Sequence, residues 1–514
     1  MKPADTLFQL VKSLTKSEKR HFKLFASKHV IGEVNNYVKL FDAIEKQGEY
    51  DQQEIIKVFA RESFVKRLSS ERAYLYHLIL KSLRAYHFQS SVEVKINALL
   101  HEVEILFKKT LFDQCAGNLE KATLLATENE VFSALPAISR WGEKITFAAR
   151  KNIDEIEALY QGIFKLEKEM LEKLENVNQY RNINLQTIIL LKREGRLRSK
   201  KQLEKFSKYL LHPLMENEKK ALSFSAKLEY YSILFNYSSI TNDTELSHNY
   251  LVKAIELMEL YPTSIQQAPH DYIVAFSNLL YLYAHEYAHE KFYFYLEKLR
   301  KFSPPTKDAQ LQIEETYYQR SLEFHSINGD FEKGITLIEK LQASLTIYEH
   351  VLINIGDANT YYNFSYAYFG NRDYRKALEW INKVLNDRAV EDRQSLYCQA
   401  KILDLLIHFE LGNTFLLEYI EKSAHRYFKK KERLYKFEQL FLNFMKTVVK
   451  NTGDNGSKDI FKSFKNKLMT IKNDPYEKKI MEALNILHWL DSKIENKPFA
   501  EIIKQNCRGR RLLH

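Results

Sequence analysis

The chain has 514 residues, of which 45% are hydrophobic and 13% aromatic, and its formal net charge is +11. Only 14 glycines and 9 prolines occur, which is too few for the turns of an all-β fold or for a glycine-rich nucleotide-binding architecture. The cysteines Cys115, Cys398 and Cys507 lie far apart and form no metal-binding or disulfide spacing. No apolar stretch has the length needed to span a bilayer, and no signal-peptide pattern opens the chain. The sequence therefore predicts a cytoplasmic protein of bacterial type that is built from long helices and makes no membrane contact.

Residues 1–95 are predicted to form an N-terminal helical module. Thr15 and Glu18 have the spacing of a capping box, and Asp51 with Glu54 repeats that signal before a second apolar run. From Ser70 onward, apolar residues recur at the spacings of one helix face. We expect four or five helices in this module and no strand.

A long-range repeat is predicted between residues 96 and 448, and its clearest copy runs from Ala358 to Leu378. Large Phe364 precedes small Ser365 in the first half, Asp373 can cap a second helix, and small Ala377 lets two helices approach closely. This copy resembles a tetratricopeptide repeat. The resemblance implies an all-α fold in which helical hairpins stack into an α-solenoid.

Other copies of the repeat flank the clearest one. Phe331, Tyr374 and Phe415 follow successive turns at intervals of roughly 40 residues, against about 34 residues in the family. The region from about 154 to 316 is only loosely repetitive. After a linker at residues 451–457, residues 449–514 are predicted to be a C-terminal helical cap.

The resemblance also implies a binding groove, because the first helix of each tetratricopeptide repeat lines a concave face that grips protein segments. Carried over to the positions that match, the groove residues are Gln319, Arg320, Glu323, Tyr362, Asn363, Tyr366 and Phe369. The lysine that accompanies an asparagine in carboxylate-binding members of the family is absent, and Tyr362 stands in its place. The expected partners are therefore protein or peptide segments, with no cofactor.

One segment has the spacing of a zinc-peptidase motif. His285-Glu286-Tyr287-Ala288-His289 reads H-E-x-x-H, which on one helix would present two imidazoles to zinc and Glu286 as a base. Asp308, Glu314 and Glu315 follow as candidate third ligands. The repeat spacing instead places His289 at a turn before Phe292, and we expect no metal and no catalytic residues here.

A third reading is a regulator that contacts nucleic acid. Basic runs occur at residues 192–201, at residues 429–433, around Lys12 to Lys23 and in the C-terminal tail, and such runs can follow phosphates. This reading requires Arg61, Lys66, Arg67, Arg72 and Lys81 to share one exposed face. The sequence favours a non-catalytic scaffold or adaptor, with the nucleic-acid regulator and then the zinc hydrolase as alternatives.

Overall fold

The computed structural model describes residues 6–27, 36–86, 91–149, 153–195, 197–344, 347, 357–387, 390, 393–450 and 457–511, without the side chains of 357, 457 and 508–511. Within these ranges every regular element is a helix and none is a strand, so the predicted all-α class is confirmed. None of the helices in the described part of the chain is both long and apolar enough to cross a membrane. The predicted linker at residues 451–457 and the basic tail lie outside the residues or side chains described.

The chain divides into two compact units, residues 1–172 and 173–514. The helices up to the division are α1 (Thr6–Ser13), α2 (Lys16–Ser27), α3 (Asn36–Lys46), α4 (Gln52–Val58), α5 (Leu68–Tyr86), α6 (Val92–Lys108), α7 (Phe112–Glu128), α8 (Leu135–Ala148) and α9 (Ile153–Glu194), with 3-10 turns at Ser63–Arg67 and Phe132–Ala134. The division falls within α9. The boundaries expected at residues 95/96 and 448/449 stay predictions.

The second unit continues from the end of α9. Its helices are α10 (Lys200–Leu210), α11 (Phe224–Thr241), α12 (Thr244–Glu259), α13 (Pro262–Gln267), α14 (Pro269–His285), α15 (His289–Lys301), α16 (Lys307–Ile327), α17 (Phe331–Ala343), α18 (Asp357–Gly370), α19 (Tyr374–Asn386), α20 (Gln394–Glu410), α21 (Thr414–Lys430), α22 (Lys436–Lys450), α23 (Ser457–Met469), α24 (Lys478–Ala483), α25 (Ile486–Glu495) and α26 (Phe499–Arg511). Short 3-10 turns occur at Pro213–Met215 and Glu218–Lys220.

Helices α1 to α5 of the first unit enclose one apolar core. Phe22 and Phe41 meet at its centre, with their ring centroids 4.7 Å apart. The predicted capping box is confirmed, because the Thr15 amide donates to the Glu18 carboxylate at 2.7 Å and the Glu18 amide donates to the Thr15 hydroxyl at 3.3 Å. These two hydrogen bonds satisfy backbone donors that the first turn of a helix leaves unpaired. The local sequence therefore determines where α2 begins.

The second unit contains a series of hairpins, each formed by two consecutive helices. The pairs are α11–α12, α14–α15, α16–α17, α18–α19 and α20–α21, and within each pair the two helices pack together. The first helices also pack on one another in order, since α14 contacts α16, α16 contacts α18, and α18 contacts α20. Two apolar cores run through this series, one around Phe276 and Phe292 and one around Phe364 and Leu403.

The hairpin of α18 and α19 shows how its predicted pattern of large and small residues packs. Phe364 packs edge-on against the Trp380 ring, with the centroids 4.9 Å apart. Ser365 and Ala377 are fully buried where the helices meet, and the Ser365 hydroxyl donates to the Ala377 carbonyl at 2.8 Å. The Asp373 side chain accepts from the Lys376 amide at 3.1 Å and so caps α19 as predicted. Small residues at the contact allow the close approach that large neighbours then cover.

A buried ionic cluster joins residues that are far apart in the second unit. The Arg198 guanidinium donates to both carboxylate oxygens of Glu438 at 2.8 Å and to Glu477 at 2.8 Å. Arg433 donates to the Glu194 carboxylate at 3.1 Å and to the Glu194 carbonyl at 2.9 Å. The cluster therefore connects the segment between α9 and α10 to the start of α22 and to the turn before α24.

Candidate partner-binding surface

Half-buried polar side chains cover one side of α14, α16 and α18. Arg320 donates from Nε to the Ser277 hydroxyl at 3.1 Å, pairs with Glu323 at 2.5 Å, and lies 5.6 Å from the centroid of the Tyr281 ring. Because these groups lie on neighbouring first helices, the contacts fix the orientation of a guanidinium that is still partly exposed. We define the first-helix surface by these residues and two more on α16 and α18: Ser277, Tyr281, Gln319, Arg320, Glu323 and Asn363.

Gln319 and Asn363 lie on the walls of one cleft between α16, α17 and α18. The cleft is shallow and partly open to solvent, and the buried side chains of Leu322, Ile338 and Phe364 form its apolar floor. The Gln319 amide also donates to the Thr360 hydroxyl at 3.5 Å. An apolar floor with amide groups at its rim suits an apolar side chain carried on a polypeptide backbone.

The remaining predicted groove residues are buried. Tyr362, Tyr366 and Phe369 are all exposed by less than a tenth, so they cannot serve as open anchors for a partner in this conformation. The Asn485 amide donates to the Tyr366 hydroxyl at 3.0 Å, and burial raises the pKa of that phenol. Phe369 packs edge-on against Phe499, with the centroids 5.9 Å apart. The chain's own C-terminal helices therefore occupy the part of the surface that these residues belong to.

The C-terminal helices α25 and α26 lie across the ends of three successive first helices. At the end of α16, the Cys507 thiol contacts the Ile327 carbonyl at 3.7 Å, and a side chain on Gly329 would collide with the α26 backbone. At the end of α20, Glu410 accepts from the Trp489 indole at 2.7 Å and pairs with Lys493. These contacts leave the first-helix surface as the part of the first helices not covered by α25 and α26.

The H-E-x-x-H segment does not form the helical motif that zinc peptidases use. Helix α14 ends at His285, Tyr287 has a left-handed backbone with φ of 59°, and α15 begins at His289. The His285 ring contacts the Tyr281 carbonyl at 3.0 Å, whereas His289 Nε2 contacts the Asn328 amide oxygen at 2.9 Å. The single-helix geometry assumed for the zinc motif is therefore wrong. The turn covers residues 286–288, and the half-buried His289 is the first residue of α15 directly after it.

Glu315, one of the candidate third ligands, is buried on α16. Burial, reinforced by the nearby charge of Asp308, raises the pKa of Glu315 to about 8, which favours its neutral carboxyl form at pH 7. Among the described residues, no three histidine, cysteine, aspartate or glutamate side chains are grouped so that they could hold a metal ion.

The basic runs are partly used inside the protein. From the run at residues 192–201, Arg198 is buried in the ionic cluster, and Arg433 of the second run is buried in the same cluster. Near the N-terminus, Lys19 and Lys23 both pair with Glu45, and Lys12 donates to its carbonyl. These contacts reduce the positive charge available to a phosphate backbone.

Four of the five residues that the nucleic-acid alternative requires are exposed: Arg61, Lys66, Arg67 and Lys81. The fifth, Arg72, is half-buried, and its guanidinium lies 5.0 Å from the Tyr50 ring centroid and donates to Gln52. The Arg72 guanidinium therefore packs against the Tyr50 ring. The nucleic-acid regulator stays a prediction.

The sequence reasoning missed Ser277 and Tyr281 of the first-helix surface. Both precede their counterparts Gln319 and Glu323 by the repeat length of roughly 40 residues. Extending the repeat by one more copy toward the N-terminus would have found them. Nothing in the local sequence identifies α25 and α26 as the cover of Tyr366 and Phe369.

Comparison of the chain with protein-family models, with curated proteins and with solved structures finds no match.

Proposed function

We propose that the second unit is a tetratricopeptide-like α-solenoid that acts as a non-catalytic scaffold and binds a segment of a partner protein on its first-helix surface. The observation that carries the proposal is the side-by-side arrangement of α14, α16 and α18, which joins a half-exposed Arg320–Glu323 pair to an amide-rimmed apolar cleft. The order of helix contacts supports the solenoid, because α14 packs on α16, α16 on α18 and α18 on α20.

The chemistry of the surface suits a polypeptide segment. The cleft accepts an apolar side chain, while Gln319 and Asn363 at its rim can hydrogen-bond a peptide backbone. Arg320 and Glu323 together carry no net charge. They therefore position polar groups of a bound segment without favouring a positively or a negatively charged ligand. A cytoplasmic location belongs to the same proposal, and it is consistent with three buried cysteines that are free thiols.

Photo-crosslinking tests the proposal. A benzophenone amino acid replaces Asn363 or Gln319 in the full chain, and the exposed Leu260 of the same unit is replaced as the control. Lysate is treated with nuclease before irradiation, and crosslinked proteins are identified by mass spectrometry. We expect one protein partner at both surface positions and none at Leu260.

The affinity for the partner identified in this way then tests the surface itself. Arg320→Ala combined with Gln319→Ala should weaken binding at least tenfold, because it removes the oriented guanidinium and one rim amide. Leu260→Ala should leave the affinity unchanged. Crosslinks that disappear with nuclease, or an affinity that the double substitution does not change, would refute the scaffold proposal and favour the nucleic-acid regulator.

A further inference from the structure

One face of α21 carries both exposed aromatic rings and exposed basic side chains. Phe415 is exposed by 98% and Tyr419 by 66%, so both rings are open to solvent. Four exposed basic residues follow them at helical spacings. An α-helix turns by about 100° and rises about 1.5 Å per residue, so all six residues lie within an arc of roughly 100° and along about 22 Å of helix. The members of this α21 face are Phe415, Tyr419, Lys422, Arg426, Lys429 and Lys430.

The α21 face is positively charged. Glu418 borders it, and its carboxylate pairs with Lys422 at 2.7 Å. The hydrogen bond and charge of Lys422, and after them the charge of Lys450 on α22, lower the pKa of Glu418. A further cation therefore lies near the end of the face that carries the rings. In the described part of the chain, no ion pair neutralises the remaining basic side chains of the face, Arg426, Lys429 and Lys430.

The structure divides the basic run at residues 429–433 into two parts. Arg433 is buried in the ionic cluster. Lys429 and Lys430 stay exposed at the end of α21, and Glu432 lies beyond them in the turn that follows the helix. The exposed part of the run therefore adds its charge to the α21 face.

We propose that the α21 face binds single-stranded nucleic acid. An open aromatic ring stacks on an unpaired nucleobase, while lysine and arginine side chains contact the phosphates on either side of it. Phe415 and Tyr419 are one helical turn apart, so each ring takes its own nucleobase. The four basic side chains then follow the phosphates of the strand along α21. The α21 face shares no residue with the first-helix surface, so the two proposals stand or fall separately.

Other anionic partners use only part of the α21 face. A duplex keeps its nucleobases inside, where the two rings cannot reach them. A bilayer that received Phe415 and Tyr419 would also receive Lys422, less than one turn further on, and a cation in hydrocarbon is costly. An acidic protein segment neutralises the cations but offers no flat partner to the rings. A single strand uses both the rings and the cations.

Fluorescence anisotropy of the full chain with two labelled probes tests the proposal. The probes are a 12-nucleotide oligothymidylate and an oligouridylate of the same length. We expect both strands to bind, and duplex DNA of that length to bind more weakly. Four phosphate contacts predict a slope of about −3 for the logarithm of the association constant against the logarithm of the salt concentration, because each contact to a single strand contributes about −0.7.

The two strands also distinguish the sources of the ligand. Equal affinities would show that stacking and phosphate contacts carry the binding, whereas a preference for one strand would identify RNA or DNA as the ligand. Failure of both strands to bind would overturn the proposal. A 12-residue oligoglutamate that binds as tightly as the strands would overturn it in favour of an acidic protein segment.

Aromatic substitutions test the stacking. Phe415→Ala should weaken binding of both strands about fivefold or more, because it removes one ring that stacks on a nucleobase, and it should leave the salt dependence unchanged. Phe294→Ala is the matched control, since Phe294 on α15 is exposed by 64% but lies on another helix. Equal effects of the two substitutions would overturn the stacking role.

Charge substitutions test the phosphate contacts. Lys429→Gln combined with Lys430→Gln should reduce the magnitude of the salt slope by about 1.4, since two phosphate contacts are lost. Lys333→Gln combined with Lys340→Gln, at two exposed lysines of α17, is the control and should leave the slope unchanged. Circular dichroism checks that every variant keeps its helix content. A slope that the first pair of substitutions does not change would refute the phosphate contacts.

Discussion

Replacing Arg198 by methionine should destabilise the second unit strongly. Only 10% of the Arg198 side chain is exposed, and it donates two hydrogen bonds to Glu438 and one to Glu477, all at 2.8 Å. Methionine retains much of the aliphatic volume but supplies no donor and no charge. The substitution therefore leaves two carboxylates in a low-dielectric environment without their shared cation.

The size of the stability loss depends on which of the two carboxylates keeps other hydrogen-bond partners. Glu477 still accepts from the Lys436 and Phe437 amides at 3.2 and 3.1 Å, at the start of α22. The Glu438 side chain is only 2% exposed, and it loses both side-chain hydrogen bonds to Arg198. Removing one partner of a buried ion pair costs about 3–5 kcal/mol, and we assign most of that loss to Glu438.

A double-mutant cycle measures this assignment by urea denaturation, with helix content followed by circular dichroism. Arg198→Met should lower the free energy of unfolding by about 3–5 kcal/mol, and adding Glu438→Leu should recover most of the loss because no buried charge then remains there. Lys422→Met is the control, because the Lys422–Glu418 pair has both side chains exposed and should contribute little to stability. A loss below about 1 kcal/mol for Arg198→Met, or a double variant no more stable than that single variant, would refute the reasoning.

Three further predictions concern stability. Burial raises the pKa of Glu315 from 4.5 to about 8. Its contribution to stability is therefore fully present below pH 4.5 and is lost as pH rises through about 8, by at most about 1.4 kcal/mol per pH unit. Glu315→Gln should flatten this decline in denaturation curves recorded across that range. Gly370→Ala should lower the free energy of unfolding by about 1–3 kcal/mol, because the added Cβ would overlap a phenylalanine ring. Gly117→Ala, with open space around it, should raise that free energy by about 0.5–1 kcal/mol. Equal melting temperatures of the two variants would contradict both expectations. Phe499→Ala should cost about 3–5 kcal/mol, whereas Phe415→Ala, at a side chain 98% exposed, should change the melting temperature little; a small effect of the first substitution would show that α26 is not an integral part of the core.

The elements that were predicted well depend on residues close together in the chain. Thr15 and Glu18 cap α2 through hydrogen bonds between neighbours in sequence. Asp373 caps α19 in the same way, and Ser365 meets Ala377 only twelve residues away. A local pattern suffices in such cases because the groups that satisfy one another lie within a single turn or a single hairpin.

Whether the predicted groove residues are exposed depends on contacts with residues far away in the sequence, which no local pattern predicts. Tyr366 receives its hydrogen bond from Asn485, which is 119 positions away, and Phe369 packs against Phe499. Phe415, which has the repeat spacing of the buried Phe331, is instead almost fully exposed, because α21 begins one residue earlier, at Thr414, whereas α17 begins at Phe331 itself. A shift of one residue in a helix rotates a side chain by about 100°, which is enough to move it from the core to solvent.

The sequence by itself determined the all-helical class, the helix starts and the hairpin around α18 and α19, because capping and helical periodicity act over a few residues. Only the tertiary structure decided that Arg198 and Arg433 of the basic runs lie among buried carboxylates. It also decided which part of the first helices α25 and α26 leave uncovered. The physical reason is that burial and ion pairing depend on groups brought together from more than 200 positions apart, and their attraction leaves no periodic trace in the chain.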